Sequence, residues 1–204
     1  GGGGFHLEEF LPFVKPIAER KIILIKGYHH HVGRGLVLVK ALQCIQESIQ
    51  KLGFKVVVFG AHPIVIDYIN DNILPYEVHD RHGLSHHDLL QLMGKSAVYL
   101  GNSISDGMPN TLLEAIIMGA FPIQSNPGNV TAEIITAGEN GFLIENPNDD
   151  NAISNLIIKV LQQPEWLQKA FEINQKIAKE RLDYAVNQQK IVALYHQIEN
   201  DTCE

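Results

Sequence analysis

The 204-residue chain has few cysteines, no long apolar run and no excess of positive charge. Its two cysteines, Cys44 and Cys203, form no CxxC pair, so we expect no disulfide framework and a reducing compartment. No apolar run approaches the roughly 18 to 20 residues that a membrane-spanning helix needs. The net charge of −7 argues against a general nucleic-acid binder and against a surface that docks on anionic lipid. Any anion site must therefore be local.

Length and composition otherwise indicate one ordinary globular domain. With 45% hydrophobic residues, the chain is long enough to bury a single core. We expect residues 1–19 to be a leader or linker, partly derived from cloning because the chain starts with four glycines, residues 20–198 to be the domain, and residues 199–204 to be a tail. No signal peptide is recognised, so we expect a cytoplasmic protein.

Short β-rich apolar runs alternate with longer segments of helical periodicity. We predict strands over 21–26, 55–59, 76–79, 97–100, 121–124 and 141–144. We predict helices over 32–52, 63–72, 85–93, 110–118, 131–137, 151–161, 164–181 and 184–198. Strands buried on both faces and joined by crossover helices form a doubly wound parallel sheet, so the predicted fold class is α/β, with closing C-terminal helices.

The loop after the first predicted strand is the first candidate site, because open parallel sheets bind ligands beyond the carboxyl ends of their strands. Its sequence is Gly-Tyr-His-His-His-Val-Gly-Arg-Gly, over residues 27–35. Backbone N–H groups at a helix start, together with Arg34, suit an anion such as phosphate. The alternative is a glycine-rich turn with a surface arginine. The loop fits neither the dinucleotide fingerprint nor a Walker loop, so NAD binding and ATP hydrolysis are disfavoured.

The loop after the fourth predicted strand is the second candidate site. Asp106 lies in this loop, and Glu114 follows after seven intervening residues, inside the next predicted helix. Two carboxylates facing one cleft suit the paired hydroxyls of a sugar or ribose, because each accepts several hydrogen bonds. Gly107 permits a tight turn, and Pro109 and Asn110 are typical of a helix start. Alternatively, Asp106 caps the helix and Glu114 is solvated.

The segment SDGMPNTLLEAIIMGAFPIQSNPGNVTAEIITAGENGFLIENPND resembles the donor-binding signature of the retaining glycosyltransferases of the GT-B fold, family four. The resemblance extends over about residues 20–198 and is weaker in the loop 27–35. It covers only the second of the two Rossmann-like halves that members of this family have. The resemblance therefore implies a nucleotide-sugar-binding C-terminal half, natural or excised, whose acceptor is held by an N-terminal half.

The resemblance also implies a role for individual residues. Glu114 would hold the ribose hydroxyls, Asp106 would contact the donor sugar, and Arg34 would neutralise the departing diphosphate; these three are the predicted catalytic residues. His82 is expected near the nucleotide base. The other predicted donor-binding residues are Gly27, Tyr28, Gly33, Gly35, Gly107, Met108, Pro109, Asn110 and Thr111.

Two positions depart from the family pattern. Asp106 is one methylene shorter than the usual glutamate, which affects sugar identity and reach. Tyr28 follows Gly27 where many members have an arginine, so one customary diphosphate cation is missing from its usual place. Lys26 and the histidines 29–31 are the candidates to replace it.

We expect no metal and no cofactor. The ten histidines raise the hypothesis of a zinc site, but they lack the regular spacing and the acidic partners that zinc ligands usually have. The expected ligand is a UDP-, GDP- or ADP-sugar, and the expected partner is the N-terminal acceptor domain. Membrane contact at the inner face would occur through that domain, and nucleic acid is not expected.

Two other functions remain open on sequence alone. A nucleotide-sugar epimerase shares the two-domain fold, and a non-catalytic nucleotide-sugar binding module would need no acceptor half. Among the aromatic residues, Trp166, Tyr184 and Tyr195 are interpreted as packing anchors of the final helices. The last helix is expected to expose an apolar surface, because its counterpart in complete enzymes crosses to the other half.

Overall fold

A computed structural model describes residues 3–201, and Cys203 lies outside this range. Within it, six strands form one parallel sheet: β1 (Ile22–Lys26), β2 (Lys55–Ala61), β3 (Glu77–Asp80), β4 (Ser96–Gly101), β5 (Phe121–Ser125) and β6 (Phe142–Ile144). Their order is β3-β2-β1-β4-β5-β6, with every neighbouring pair parallel. The predicted doubly wound α/β fold is confirmed.

Helices cover both faces of this sheet. The α-helices of the described residues are α1 (Gly35–Cys44), α2 (Gln46–Lys51), α3 (Pro63–Asp71), α4 (His86–Lys95), α5 (Asn110–Ile117), α6 (Asp150–Leu161), α7 (Pro164–Ile177) and α8 (Tyr184–Asp201), of which α8 lies away from the sheet. A π-helical turn over Ala178–Leu182 follows α7. Ser85 caps α4: its Oγ accepts from the Asp88 N–H at 3.1 Å and donates to the Asp88 carboxylate at 2.6 Å.

Two predicted helices differ from the structure for local reasons. The helix predicted over 32–52 begins only at Gly35 and breaks at Ile45, whose backbone (φ −115°, ψ 17°) is not helical. Over 131–137 the chain forms only a 3-10 turn, Thr131–Glu133. The Asn140 side chain accepts from the Thr136 N–H at 2.7 Å and donates to the Ile134 carbonyl at 3.0 Å, so these backbone groups are bonded outside a helix.

The sheet separates two apolar layers. Ile23 and Ile25 of β1 face the layer under α1, α3 and α6, whereas Leu24 faces the layer under α4 and α5. Strand β4 is buried along its whole length. Burial on both faces explains why these strands are nearly continuous apolar runs in the sequence.

The segment expected to be a leader or linker packs on the domain. Leu7 and Phe10 are buried in the layer under α4 and α5, and the Phe5 N–H donates to the Leu182 carbonyl at 2.7 Å. Arg20 is buried, and its guanidinium donates to the carbonyls of Lys15 (2.6 and 2.8 Å) and Ser96 (3.1 Å). Burial lowers the pKa of Arg20 to about 10, so it remains charged at neutral pH. This buried cation ties the segment to the start of β4.

The expected apolar surface on the last helix is present. Exposed apolar side chains of α8 include Ile191, Leu194 and Tyr195. Tyr184 and Tyr195 were expected to be packing anchors, but they are 38% and 65% exposed. Trp166 packs as predicted, edge-on to Phe142 with ring centroids 5.3 Å apart. In the part of the chain that the structure describes, no helix is long and apolar enough to cross a membrane.

Asn174 generates the first testable prediction. This fully buried residue of α7 donates to the carbonyls of Ala120 (2.9 Å) and Asn140 (3.2 Å) and accepts from Asn140 Nδ2 at 3.0 Å. We expect Asn174→Ala to lower the free energy of unfolding by about 2 to 3 kcal/mol, because it leaves buried polar groups unpaired. Chemical denaturation measures this, with Asn155→Ala on the exposed face of α6 as the control. Equal effects of the two substitutions would contradict the prediction.

Candidate active site

The candidate site lies where the strand order reverses. Strand β1 lies between β2 and β4 in the sheet. The chain runs from β1 to β2 on one side and from β4 to β5 on the other, so the connections after β1 and β4 lead to opposite sides of the sheet and leave a crevice where they start. A cleft of about 170 Å³ opens there. It is lined by Lys26, Tyr28, Val32, Tyr99, Gly101, Asn102, Ser103, Ser105, Asp106, Pro109 and Gln124.

Backbone hydrogen bonds join the two candidate loops beside this cleft. The Arg34 N–H donates to the Asn102 carbonyl at 3.0 Å, and the Ile104 N–H donates to the Val32 carbonyl at 2.9 Å. Gly33 and Ser103 form an antiparallel bridge between the same loops. Two sites predicted separately, some 70 residues apart in sequence, are therefore one site.

The predicted glycines of the first loop allow close approach of backbone to backbone. A Cβ at Gly35 would lie 2.7 Å from the Gly27 carbonyl carbon and 2.8 Å from the Tyr28 carbonyl oxygen. A Cβ at Gly27 would lie 2.6 Å from Val58 Cγ1, and one at Gly33 would lie 2.5 Å from the Tyr28 ring. These glycines are thus needed for the shape of the loop.

Arg34, predicted as the diphosphate cation, is bonded within its own loop. Its Nη1 donates to the carbonyls of Gly33 (2.9 Å), His31 (3.1 Å) and His30 (3.2 Å), and its Nε donates to Asn148 Oδ1 at 2.9 Å. Arg34 is not among the residues lining the cleft, whereas Lys26 is. Lys26 is therefore the cationic residue among those that line the cleft.

The two predicted carboxylates have different surroundings. Asp106 lies in the wall of the cleft, but Glu114 does not. The Glu114 side chain is 10% exposed, and its Oε1 lies 2.9 Å from His86 Nε2. His86 is the first residue of α4. No local pattern indicates its contact with Glu114, because 28 residues separate the two.

Thr111, in the first turn of α5, and Tyr99, in β4, form a hydrogen-bonded pair. Tyr99 is fully buried, and its hydroxyl lies 2.9 Å from Thr111 Oγ1. Burial raises the pKa of Tyr99; the hydrogen bond to Thr111 lowers it, and the charges of Glu114 and Asp106 raise it further. Tyr99 is therefore a neutral phenol, and both candidate carboxylates are near enough to influence it.

The remaining predicted residues are spread more widely. His82 is exposed on the turn after the edge strand β3, where its N–H donates to Asp80 Oδ1 at 2.9 Å, and it does not line the cleft. Met108 packs on the apolar layer under α4 and α5. Pro109, at the cap position, precedes Asn110, the first residue of α5. A Cβ at Gly107 would meet no heavy atom within 4 Å.

Several polar residues of the cleft were not predicted. They follow or end apolar strands: Asn102, Ser103 and Ser105 after β4, and Gln124 in β5. A polar residue at the end of a strand that is otherwise apolar is the signal that could have indicated them. Among residues 3–201, no group of three or more His, Cys, Asp or Glu side chains is arranged to hold a metal ion.

Comparison with known proteins gives a family match. The family model of the glycosyl transferases group 1 matches residues 8–180. A search of curated protein sequences gives no match.

Solved structures show the same fold. A glycosyltransferase from Rickettsia africae is 19% identical, with a TM-score of 0.71 over 96% of this chain and 55% of that one. Anabaena HepE in complex with UDP-glucose is 16% identical, with a TM-score of 0.72 over 95% of this chain and 56% of that one. The C-terminal domain of a group 1 glycosyl transferase from Francisella tularensis is 14% identical, with a TM-score of 0.68 over 88% and 93%. The chain spans just over half the length of the first two proteins.

The close approach at Gly35 can be tested by stability. We expect Gly35→Ala to lower the melting temperature by several degrees, because its Cβ would overlap backbone atoms that cannot move aside. Gly107→Ala is the matched control, since its Cβ meets open space. Thermal unfolding monitored by circular dichroism measures both, and a control as destabilised as Gly35→Ala would refute the packing role.

The charge of Arg34 can be detected at His29. Partial burial, and then the nearby Arg34 guanidinium, lower the pKa of His29, whose neutral Nδ1 accepts from the Leu36 N–H at 3.4 Å. Because the pKa of His29 is lower in the folded than in the unfolded state, its contribution to the stability of the fold decreases as the pH falls from about 6.5 through the lowered pKa. We expect Arg34→Gln to raise the pKa of His29 in an NMR titration and Arg81→Gln to leave it unchanged. An unchanged pKa of His29 in the Arg34→Gln variant would contradict the electrostatic effect of Arg34 on His29.

Proposed function

The chain belongs to the group 1 glycosyl transferases, and we propose that it is the donor-binding half of a retaining glycosyltransferase. In this proposal the cleft binds a nucleotide-diphospho-sugar, and the sugar is transferred to a glycan or lipid-linked acceptor held by an N-terminal domain. The enzyme would act in the cytoplasm or at the inner face of the membrane, and the isolated domain would be inactive without its acceptor half.

One observation carries the proposal: the loops after β1 and β4 meet in a single cleft at the switch point of the sheet, beside the start of α5. Lys26 and Asp106 both line this cleft. A lysine and the backbone N–H groups of a helix start attract a diphosphate, whereas a carboxylate accepts hydrogen bonds from sugar hydroxyls. The cleft therefore offers complementary groups for both parts of a nucleotide-sugar.

The chemical requirement is to stabilise a departing nucleoside diphosphate while positive charge develops on the sugar. We assign the neutralising role to Lys26 and the start of α5, because Arg34 is bonded to loop carbonyls in this structure. Preorganised positive groups of this kind lower the barrier without reorganising, and removing one typically costs about 10² to 10³ in rate. With these groups the proposed reaction is metal-independent.

Glu114 is proposed to bind the ribose. His86 holds its Oε1, and a ribose hydroxyl can donate to the other carboxylate oxygen. The identity of the base is left to experiment among UDP, GDP and ADP. The Anabaena neighbour was solved with UDP-glucose, which supports including a UDP-sugar among the first ligands tested.

Calorimetric titration tests the proposed function. The 204-residue chain is titrated with UDP, GDP, ADP and CDP, each with and without EDTA. We expect one diphosphate to bind with a saturable isotherm that survives the chelator. Binding that EDTA abolishes would overturn the metal-independent mechanism, and no binding of any diphosphate up to millimolar concentration would overturn the donor site.

The assignment of Glu114 gives a matched prediction. We expect Glu114→Gln to weaken binding of the preferred diphosphate about tenfold, because the ribose hydroxyls lose a charged acceptor. Glu165→Gln on the exposed side of α7 removes the same charge away from the cleft and is the control. Affinities that change equally in the two variants would indicate only an effect of net charge.

A further inference from the structure

A buried side-chain oxygen without a partner lies in the wall of the cleft. Gln124, in β5, is only 2% exposed. Its Nε2 donates to Ser125 Oγ at 3.3 Å, and Ser125 Oγ also accepts from the Ser103 N–H at 2.8 Å. Gln124 Oε1 is buried and has no hydrogen-bond partner within residues 3–201. The amide is thus bonded through its nitrogen, whereas its oxygen is buried without a hydrogen-bond partner in the described residues.

Asn102 provides a second acceptor of the same kind. It is 7% exposed and follows β4, and its Nδ2 donates to the Pro147 carbonyl at 2.8 Å. Its Oδ1 is also buried and unpaired in the described part of the chain. Both Asn102 and Gln124 line the cleft. Two orphaned acceptors on one cleft require an explanation, because buried polar groups are almost always paired.

Gly101 provides the space that the Gln124 amide occupies. A Cβ at Gly101 would overlap Gln124 Oε1, and it would lie 3.0 Å from the Tyr99 hydroxyl. Gly101 and Gln124 are register partners on neighbouring strands. Because Gly101 has no side chain, the Gln124 side chain can lie in the wall of the cleft, in the space that a side chain on β4 would otherwise occupy.

The chemistry of these acceptors indicates that they do not contact the diphosphate. A carbonyl oxygen needs a hydrogen-bond donor, and diphosphate oxygens carry no hydrogen at neutral pH. Sugar hydroxyls are donors, and they are numerous on a hexose. We propose that Gln124 and Asn102 bind hydroxyl groups of the donor sugar and thereby determine which sugar the cleft accepts. This inference rests on the proposed function of the cleft.

Specificity of this type follows from the cost of leaving the oxygens unpaired. A sugar that places hydroxyls at both oxygens satisfies them, whereas a sugar that lacks one of these hydroxyls leaves an acceptor buried without a donor. Sites built around hydrogen bonds to a substrate hydroxyl reject analogues that lack it far more strongly than apolar pockets reject a missing methylene.

The test compares nucleotide-sugars with the corresponding diphosphates in the variant Gln124→Met, which keeps the length of the side chain and removes the acceptor. Calorimetry uses UDP-glucose, UDP-N-acetylglucosamine, GDP-mannose and ADP-glucose, together with UDP, GDP and ADP. We expect the preferred nucleotide-sugar to bind about tenfold more weakly to Gln124→Met, and its diphosphate to bind within about twofold of the unsubstituted chain. Gln162→Met, at the exposed end of α6, should change neither affinity.

Each other outcome has a distinct meaning. An equal loss for the nucleotide-sugar and its diphosphate would overturn the inference, because Gln124 would then act on the base, the diphosphate or the fold. Unchanged affinity for both would overturn it as well. If the unsubstituted chain bound neither class of ligand, the proposed function would fail and this inference with it. Gln124→Ala, whose smaller side chain cannot clash, must show the same selective loss if Gln124→Met does not fold.

Discussion

The site depends on the backbone contact between the loop after β1 and the loop after β4. Two hydrogen bonds, which together form the antiparallel bridge between Gly33 and Ser103, hold these loops together. The contact is possible because Gly27, Gly33 and Gly35 let the first loop fold tightly against itself and against β2. The order β1-β4-β5 places the ends of these strands side by side, and the loop contact fixes the two loops beside them.

This contact also explains the separate roles of the two cations nearby. Arg34 lies at the join between the loops, where its guanidinium bonds three carbonyls of its own loop and Asn148. Lys26, at the end of β1, is left to face the cleft. In a chain with a net charge of −7, a lysine beside a helix start provides a local positive charge at the cleft.

The polar groups around the cleft form two sets. Asp106 lines the opening, and the buried amides of Asn102 and Gln124 lie deeper, held by Pro147 and Ser125. Glu114, bonded to His86, belongs to the neighbouring part of α5. An anionic group and neutral acceptors at different depths suit a ligand that combines charged and hydroxylated parts, which is the basis of the proposed donor site.

Periodicity was sufficient to predict the α/β fold and the six strands, because both depend on local patterns of burial. The two loops beside the cleft were predicted from the glycine and proline residues that follow the strands. The loop segments containing Lys26, Tyr28, Asp106 and Pro109 were likewise identified from the sequence. Gln124 and Asn102 were not identified. A polar residue at the end of an apolar strand can indicate a residue of the cleft, but the local sequence does not show whether its side-chain oxygen will lack a hydrogen-bond partner.

The sequence by itself therefore determined the class of fold and the places where ligands can bind. Only the tertiary structure decided that the leader segment joins the core through Arg20, that Arg34 bonds its own loop while Lys26 faces the cleft, and that His86 holds Glu114. Each of these contacts joins residues whose relative position follows from strand order and from the packing of helices on the sheet. Such long-range geometry is set by the whole core, so no short segment of the chain encodes it.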